Sequence, residues 1–295
     1  MNKKEFVSYT QNTIHILDGA TGSFLLAAGM PRGSCTEEWV CDHPETVITL
    51  QRQYIEAGSE IILAPTFGAN AARLKTFGLQ GRIEQLNTDA VRISQNAAQG
   101  RALVAGDISM TGEMLEPFGD MTFEEAVDVY KEQISILDKA GCDLLVVETM
   151  ISIDEVRAAI TAANEVSSLP LMVTMTFDES GRTTYGTAAA DAARIITDCG
   201  ADAVGANCSY GPDRMLPIIE AMAGATRLPL IAKPNAGMPQ TLPGGAVKYD
   251  LDEDAFASSM AELINAGASL VGGCCGTTPA YIRKLYLRKE KMHVL

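Results

Sequence analysis

The amino-acid sequence predicts an α/β fold, a single (β/α)8 TIM barrel. First, a short apolar run followed by an amphipathic helical segment occurs eight times along the 295 residues. Second, these runs are nearly continuously apolar, which is typical of parallel strands buried on both faces. Third, no Gly-x-Gly-x-x-Gly motif follows the first run, which disfavours an open nucleotide-binding sheet. No linker rich in Pro, Gly or Ser divides the chain, so residues 1–295 are expected to form one domain.

The eight apolar runs begin the eight predicted βα units. In chain order they are IHILDGATG, EIILAPTFGAN, ALVAGDIS, DLLVVETM, PLMVTMTF, DAVGANCS, PLIAKPNAG and SLVGGCCG. Each run contains a residue that marks the expected carboxyl end of its strand. These markers are Asp18, Thr66, Asp107, Glu148, Thr176, Cys208, Pro234 and Cys274. The interval between successive markers leaves room for a helix and two loops, as a parallel crossover requires.

Two of the helices are recognisable from their ends. The segment TFEEAVDVYKEQISILDKAG begins with a capping box at Thr122 and Glu125 and ends at Gly141, a residue type that favours helix termination. The segment DEDAFASSMAELINAG, residues 252–267, has the same form. Residues 30–45, MPRGSCTEEWVCDHPE, are predicted to form an irregular first βα loop that lies over the barrel mouth.

Composition and charge exclude several classes of protein. The chain is 47% hydrophobic and carries a formal net charge of −14, which disfavours nucleic acid as a partner. The sequence has neither the apolar segment of a secretory signal at its beginning nor an apolar run of about 18 residues that would span a membrane. We therefore expect a cytoplasmic protein with no membrane partner.

The seven cysteines indicate free thiols. An odd number of cysteines without a secretion signal argues for a reducing compartment rather than a disulfide framework. Cys142 and Cys199 lie in apolar surroundings and are expected to pack in the core, whereas Cys35 and Cys41 fall in the predicted first loop. No two histidines have a ligand-like spacing; they are His15, His43 and His293.

The remaining three cysteines predict a metal site. In a barrel the carboxyl ends of all strands open onto one face, so Cys208 from the sixth unit would meet Cys274 and Cys275 from the eighth. Three thiolates suit Zn²⁺ and leave a fourth position open, as in catalytic zinc sites. Adjacent strand residues point to opposite faces, so the backbone must leave strand geometry here, and Gly272, Gly273 and Gly276 are expected to permit it. Core packing and a Cys274–Cys275 redox switch are the alternatives.

Polar residues from other strand ends are expected at the same face. They are Asp18, Thr66, Glu148, Asn207 and Asn235. Glu148 follows a buried strand, and because an unpaired buried charge is costly, it requires a cationic partner.

Seven phrases in this order resemble the homocysteine S-methyltransferase family. They are LDGATGS, YIEAGSEIILAPTFGAN, VVETM, TFDESGRTTYGT, GANCSYGP, KPNAGMP and GGCCGTTP. The resemblance covers about residues 10–290, and MTFDESGRT and PNAGMP look most like the homocysteine-binding module of cobalamin-dependent methionine synthase. The chain is thus identified as a methyltransferase of the EC 2.1.1 class.

The resemblance implies roles for particular residues. Cys208, Cys274 and Cys275 would be the catalytic zinc ligands, with the homocysteine thiol in the fourth position. Asp18 and Gly19 would meet the amino-acid end of homocysteine, Glu148 would hold its ammonium, and Thr66 would be a further contact. A free alkyl thiol has a pKa near ~8.5, whereas zinc binds the thiolate, which can attack an electrophilic methyl group and give methionine.

The methyl donor stays open at this stage. The chain stops soon after the eighth helix, without the folate and cobalamin modules of methionine synthase. The favoured donor is methylcobalamin on a separate corrinoid protein or on a missing module. The alternative is a small donor such as betaine or S-methylmethionine. A non-catalytic zinc or substrate-binding protein, and an acceptor thiol other than homocysteine, are the remaining possibilities.

Overall fold

A computed structural model describes residues 1–241 and 247–292, so His293 lies outside the described residues. Its strands, in chain order, are β1 (His15–Ile16), β2 (Ile61–Ala64), β3 (Leu103–Ile108), β4 (Leu144–Met150), β5 (Leu171–Met175), β6 (Ala203–Asn207), β7 (Leu230–Lys233), β8 (Pro239–Thr241), β9 (Val247–Tyr249) and β10 (Ala268–Val271). Its helices are α1 (Lys3–Thr10), α2 (Gly22–Ala27), α3 (Thr36–Asp42), α4 (Pro44–Ala57), α5 (Ala71–Lys75), α6 (Ile83–Ala98), α7 (Phe123–Ala140), α8 (Ile153–Val166), α9 (Ala189–Asp198), α10 (Pro212–Ala223), α11 (Glu253–Asn265) and α12 (Pro279–Met292).

Eight parallel strands form the predicted barrel. They are hydrogen-bonded in the order β1-β10-β7-β6-β5-β4-β3-β2, and a parallel bridge between Leu17 and Ile61 links the two outer strands. The Glu60 N–H reinforces this closure by donating to the Ile16 carbonyl at 2.7 Å. Each of the eight apolar runs supplies one barrel strand, so the predicted (β/α)8 fold is confirmed. Strands β8 and β9 pair antiparallel in a separate ribbon that the sequence did not predict.

The inward-facing side chains change from apolar to polar along the strands. The barrel interior is filled by buried side chains that include Leu63, Ala105, Val146, Met172, Ala203 and Ile231. Side chains alternate between the two faces of a strand, so the following inward positions carry polar groups. These are Asp107, Glu148, Thr174, Asn207 and Lys233. A polar layer therefore lies on top of an apolar core at the carboxyl ends of the strands.

The predicted helix ends are confirmed. The Thr122 hydroxyl accepts a hydrogen bond from the Glu125 N–H, and the Glu125 carboxylate accepts one from the Thr122 N–H, so the capping box is complete. Gly141 ends the same helix with a left-handed φ of 88°. Asp252 caps α11 by accepting from the Ala255 N–H at 2.8 Å. None of the helices in the described ranges is both long enough and apolar enough to cross a membrane.

The prediction that residues 30–45 form an irregular loop is wrong, because they contain α3. Val40 of this helix is fully buried and packs with Leu25, Met30 and Val47 in a small satellite core. That apolar contact makes the segment helical despite its polar composition. Thr36 and Glu37 line the cavity at the barrel mouth, as the predicted position requires.

Helix α1 closes the amino end of the barrel. Phe6 is fully buried and belongs to the same cluster as the interior residues Leu17, Ile61 and Leu144. An Asn2–Glu5 capping box begins the helix. The Lys3 ammonium lies 3.2 Å from the Asp202 carboxylate, which ties the helix to the start of β6. This helix therefore completes the apolar core below the polar layer.

Replacing Phe6 with alanine tests that packing. Phe6→Ala removes a fully buried ring, and such truncations typically lower the free energy of unfolding by ~3–5 kcal/mol. Val7 lies next to it and is 60% exposed, so Val7→Ala is the matched control and should change stability little. Denaturant unfolding measures both; equal effects would show that α1 does not complete the core.

Candidate functional site

Three cysteine sulfurs meet at the carboxyl end of the barrel. Cys208 directly follows β6, and Cys274 and Cys275 lie just beyond β10. Their Sγ atoms all lie within 4.8 Å of one another. Among the described residues, this is the one group of three or more His, Cys, Asp or Glu side chains with that proximity. The structure thus brings together the three cysteines that the sequence predicts as metal ligands.

The end of β7 holds both cysteine segments in place. The Cys208 N–H donates to the Lys233 carbonyl at 3.0 Å, and the Cys274 N–H donates to the Pro234 carbonyl at 2.8 Å. The Ala236 N–H in turn donates to the Cys275 carbonyl at 3.0 Å. Residues from two distant strands are therefore aligned by the backbone of the strand between them.

Some of the left-handed backbone conformations occur at residues other than the predicted glycines. Cys208 and Ser209 themselves adopt left-handed φ angles of 64° and 62°. Of the three glycines beside the cysteine pair, Gly276 has a positive φ, 82°. Gly272 is needed for close approach instead, since a Cβ there would lie 2.7 Å from the Asp18 carbonyl. Left-handed non-glycine residues each cost ~1–3 kcal/mol and occur mainly at functional sites.

The donor set fits a soft divalent cation. Hydrogen bonds from the Cys274 and Cys275 thiols lower the pKa of Cys208 to about 3. Donating to Cys208 raises the pKa of Cys275 to about 11 and that of Cys274 well above its ordinary value. Further ionisation is disfavoured until a cation compensates the charge. The Asn235 side chain bonds to Cys208, yet its buried Oδ1 atom has no hydrogen-bond partner among the described residues.

A buried charge cluster lies in the same polar layer. The Lys233 ammonium lies 3.0 Å from Glu148 Oε2 and 3.7 Å from Asp18 Oδ1, and all three side chains are buried. The predicted cationic partner of Glu148 is thus confirmed as Lys233, a residue that the sequence analysis missed. The inward alternation Ile231–Lys233 on β7 was the signal that would have revealed it.

The charges of this cluster depend on one another. Burial raises the pKa of Asp18 to about 6, although Lys233 and the Leu63 N–H partly oppose the shift. Burial disfavours the charged form of Lys233, but the Glu148 and Asp18 carboxylates raise its pKa above the ordinary value. Burial, followed by repulsion from Glu148, raises the pKa of Asp107 well above its usual range. Lys233 is therefore the cation that opposes the raised pKa values of Asp18 and Asp107.

One cavity of about 260 Å³ connects the sulfurs with the charge cluster. Its lining includes Cys208, Cys274, Cys275, Asp18, Glu148 and Lys233. Gly19 also lines it, at a position where a Cβ would lie only 2.8 Å from atoms of Tyr54 and Thr277. The cavity is thus polar and acidic at one end and rich in sulfur at the other.

Thr66 and Asn207 lie beside the cavity but bind other protein groups. Thr66 is fully buried, is not part of the lining, and its hydroxyl donates to the Asp107 carbonyl at 2.7 Å. The Asn207 Oδ1 atom accepts from the Thr149 N–H at 2.9 Å and from the Thr174 hydroxyl at 2.8 Å. Thr149 lines the cavity with a φ of 63°, so Asn207 supports a strained turn next to Glu148.

The other cysteines pack in the protein rather than in the site. Cys142 is buried in the main core and Cys199 packs partly against it, as predicted. Cys35 is buried too and donates to the Glu37 carboxylate at 3.3 Å, so it does not lie in an exposed polar loop.

The barrel has a cysteine cluster and an acidic cavity at its carboxyl face. These features indicate a class of enzyme in which a soft metal and a small polar ligand would share one site. The family model described as homocysteine S-methyltransferase matches residues 15–288, and the chain belongs to that family. The resemblance recognised in the sequence is therefore confirmed.

Two mycobacterial proteins are similar in sequence. The methionine synthase of Mycobacterium tuberculosis is 30% identical over 286 residues, which are 91% of this chain and 24% of that protein. The methionine synthase of Mycobacterium leprae is 29% identical with the same coverage. The chain thus spans about a quarter of the length of these relatives.

Solved structures of the homocysteine methyltransferase MmuM from Escherichia coli share the fold. The oxidized form has a TM-score of 0.81 at 23% identity and covers 98% of this chain and 100% of its own. The metallated form has a TM-score of 0.80 at 23% identity, with 96% and 98% coverage.

Removing the Lys233 charge tests the cluster. Lys233→Met leaves two buried carboxylates without their cation, which should lower the free energy of unfolding by ~3–5 kcal/mol near neutral pH. Lys233 lowers the pKa values of Asp18 and Asp107, so its loss raises these two folded-state values further above their unfolded values and the folded variant binds extra protons. The penalty is therefore largest at high pH and shrinks as the pH falls through those raised values.

Unfolding measured from about pH 8 down to about pH 5 checks this dependence. Lys131→Met is the control, since Lys131 pairs with Glu165 on the surface and its removal should matter little at any pH. A penalty for Lys233→Met that does not change with pH would contradict the role of Lys233 as a counter-ion.

Proposed function

We propose that this chain transfers a methyl group to the thiol of homocysteine and so forms methionine. The observation that carries the proposal is the single cavity in which three cysteine sulfurs face a buried acidic cluster. Sulfur ligands suit the thiol end of such an acceptor, and carboxylates suit its amino end. Membership of the homocysteine S-methyltransferase family supports the same reaction. In this proposal residues 1–295 act as one homocysteine-binding barrel domain.

Cys208, Cys274 and Cys275 would hold zinc as three thiolate ligands. When bound, the ion keeps the acceptor sulfur as a thiolate near neutral pH, where a free thiol with a pKa of ~8.5 is mostly protonated. The three cysteines are held by hydrogen bonds from the β7 end, so they need little rearrangement to act together. A metallated form of E. coli MmuM, which shares this fold, supports the proposal that this chain binds a metal.

The acidic end of the cavity would position the amino-acid part of homocysteine. Glu148 and Asp18 would attract its ammonium group, and Lys233 pairs with both carboxylates. Gly19 lines the cavity without a side chain, which leaves its backbone accessible to the substrate carboxylate. Thr66 would act indirectly, because its hydroxyl bonds to both the N–H and the carbonyl of Asp107.

The favoured methyl donor is methylcobalamin carried by a separate corrinoid protein or domain. This assignment is supported by the similarity to methionine synthases of which the chain matches about a quarter. A small donor such as betaine or S-methylmethionine is the second candidate.

Replacing a single ligand tests the metal site. Cys208→Ser removes one of three thiolates, so zinc content after purification under reducing conditions should fall to a small fraction of the wild-type value. Cys199→Ser changes a free cysteine that packs against the core away from the cluster, so it should retain zinc. Metal analysis of both proteins, with circular dichroism as a check of folding, makes the comparison. Full zinc content in a folded Cys208→Ser protein would rule out this ligand set.

A donor panel tests the reaction. Zinc-loaded protein is mixed with homocysteine and, separately, with methylcobalamin, betaine or S-methylmethionine, and methionine is measured by mass spectrometry. We expect methionine from methylcobalamin and none from the small donors. Turnover with a small donor in the absence of corrinoid would instead establish the second candidate. Homocysteine binding without methionine from any donor, including a corrinoid protein, would reject the methyltransferase proposal.

A further inference from the structure

The cavity contains a buried carboxyl group that has no hydrogen bond from the described residues. Asp107 is 6% exposed and lines the cavity. Its backbone N–H and carbonyl are both hydrogen-bonded, because the Thr66 hydroxyl accepts from the Asp107 N–H at 3.0 Å and donates to the Asp107 carbonyl at 2.7 Å. Its Oδ1 atom, however, has no hydrogen-bond partner among the described residues.

The other acidic side chains of the cavity are already engaged. Glu148 accepts from the Lys233 ammonium at 3.0 Å. Asp18 accepts from the Leu63 N–H at 2.8 Å, and its second oxygen lies 3.7 Å from Lys233. Glu37 accepts from the Gly68 N–H at 2.6 Å. Asp18 Oδ1 also lacks a hydrogen bond among the described residues, but it pairs with the Lys233 ammonium, whereas the Asp107 side chain has neither a hydrogen bond nor an ion pair there.

The charge of the cavity indicates which kind of ligand would bind the Asp107 carboxyl group. Four carboxyl side chains and one lysine line it, so an incoming cation is favoured. Burial also raises the pKa of Asp107, which shows how costly its ionised form is without a partner. A protonated amine brings a positive charge and three hydrogen-bond donors, which suit a carboxylate in this position.

The strand register places Asp107 next to the cluster. In β3 it pairs with Val146 of β4, and Glu148 is the next inward-facing residue on that strand. Asp107 and Glu148 are therefore inward-facing neighbours on adjacent strands that line the same cavity. Since Lys233 already satisfies one Glu148 oxygen, Asp107 offers the less occupied acceptor.

We infer that Asp107 joins Glu148 and Asp18 in binding the ammonium group of the thiol acceptor, supplies its additional hydrogen-bond acceptor, and selects amino-acid thiols over thiols that lack the amine. This inference rests on the proposed function, because it assumes that a thiol occupies the sulfur end of the cavity. Asp107 is then a substrate-binding residue that determines specificity, with Lys233 as the counter-ion of its neighbours. A purely structural role would require partners within the protein, which the Oδ1 atom lacks.

The experiment compares two thiols on three proteins. L-Homocysteine and its des-amino analogue, 4-sulfanylbutanoate, are titrated into zinc-loaded wild-type protein, Asp107→Asn and the control Asp128→Asn, with binding measured by calorimetry. Asp128 lies on α7 with its side chain 80% exposed, so the control changes the same charge at the surface. Thermal unfolding of each protein is measured in parallel.

Wild-type protein and the control should bind homocysteine more tightly than the analogue. Asp107→Asn should weaken homocysteine binding by ~10- to 100-fold, the range for a hydrogen bond to a charged group, and leave the analogue within about threefold. Its unfolding temperature should be unchanged or higher, because a buried carboxyl group without a partner has been removed. If this variant does not fold, Asp107→Ser removes the same carboxyl group and provides the same comparison.

The outcomes separate the two proposals. Wild-type discrimination that Asp107→Asn retains would overturn the assignment of Asp107 and leave the proposed acceptor intact. An equal loss of affinity for both thiols would also overturn it, since it would indicate a structural effect. If wild-type protein binds neither thiol, the proposed acceptor is wrong and the inference fails with it.

Discussion

The backbone at the end of β7 is the element on which the site depends. The Lys233 carbonyl holds Cys208, the Pro234 carbonyl holds Cys274, and the Lys233 ammonium reaches Glu148. These hydrogen bonds connect the sulfur end of the cavity and its acidic end through two consecutive residues. A displacement of this strand end would therefore disturb both halves of the site together. Placing a site on a rigid strand end, rather than on a free loop, is what gives it a defined geometry.

Both ends of the cavity would be stabilised by a bound cation. Beside the Cys208 thiolate, the Cys274 and Cys275 thiols resist ionisation until a cation joins them, and the acidic end holds four carboxyl groups against the single Lys233. Such arrangements lower stability in the free protein, because buried charges and unpaired polar atoms are costly. The apolar barrel interior below them and the plug of Phe6 from α1 supply compensating burial. A metal at one end and an amine at the other would each relieve part of the cost.

Backbone strain is concentrated around the same cavity. Thr149, Cys208 and Ser209 adopt left-handed φ angles although none of them is glycine. Asn207 stabilises the first of these by accepting from the Thr149 N–H and donating to its hydroxyl. Strain of this kind persists only where surrounding contacts over-determine the conformation. Asn207 and Thr66 therefore support the shape of the cavity wall, although the sequence analysis expected both at the ligand face.

The sequence by itself determined the eight strands, the helix caps and the convergence of Cys208 with Cys274 and Cys275, because these follow from local periodicity and from one rule about barrel faces. Only the tertiary structure decided that α3 is helical, that Lys233 is the partner of Glu148, and that Asp107 Oδ1 has no hydrogen-bond partner among the described residues. The physical reason is distance along the chain. Lys233 and Glu148 are 85 residues apart, so their contact depends on strand register and inward alternation across four strands rather than on any local pattern.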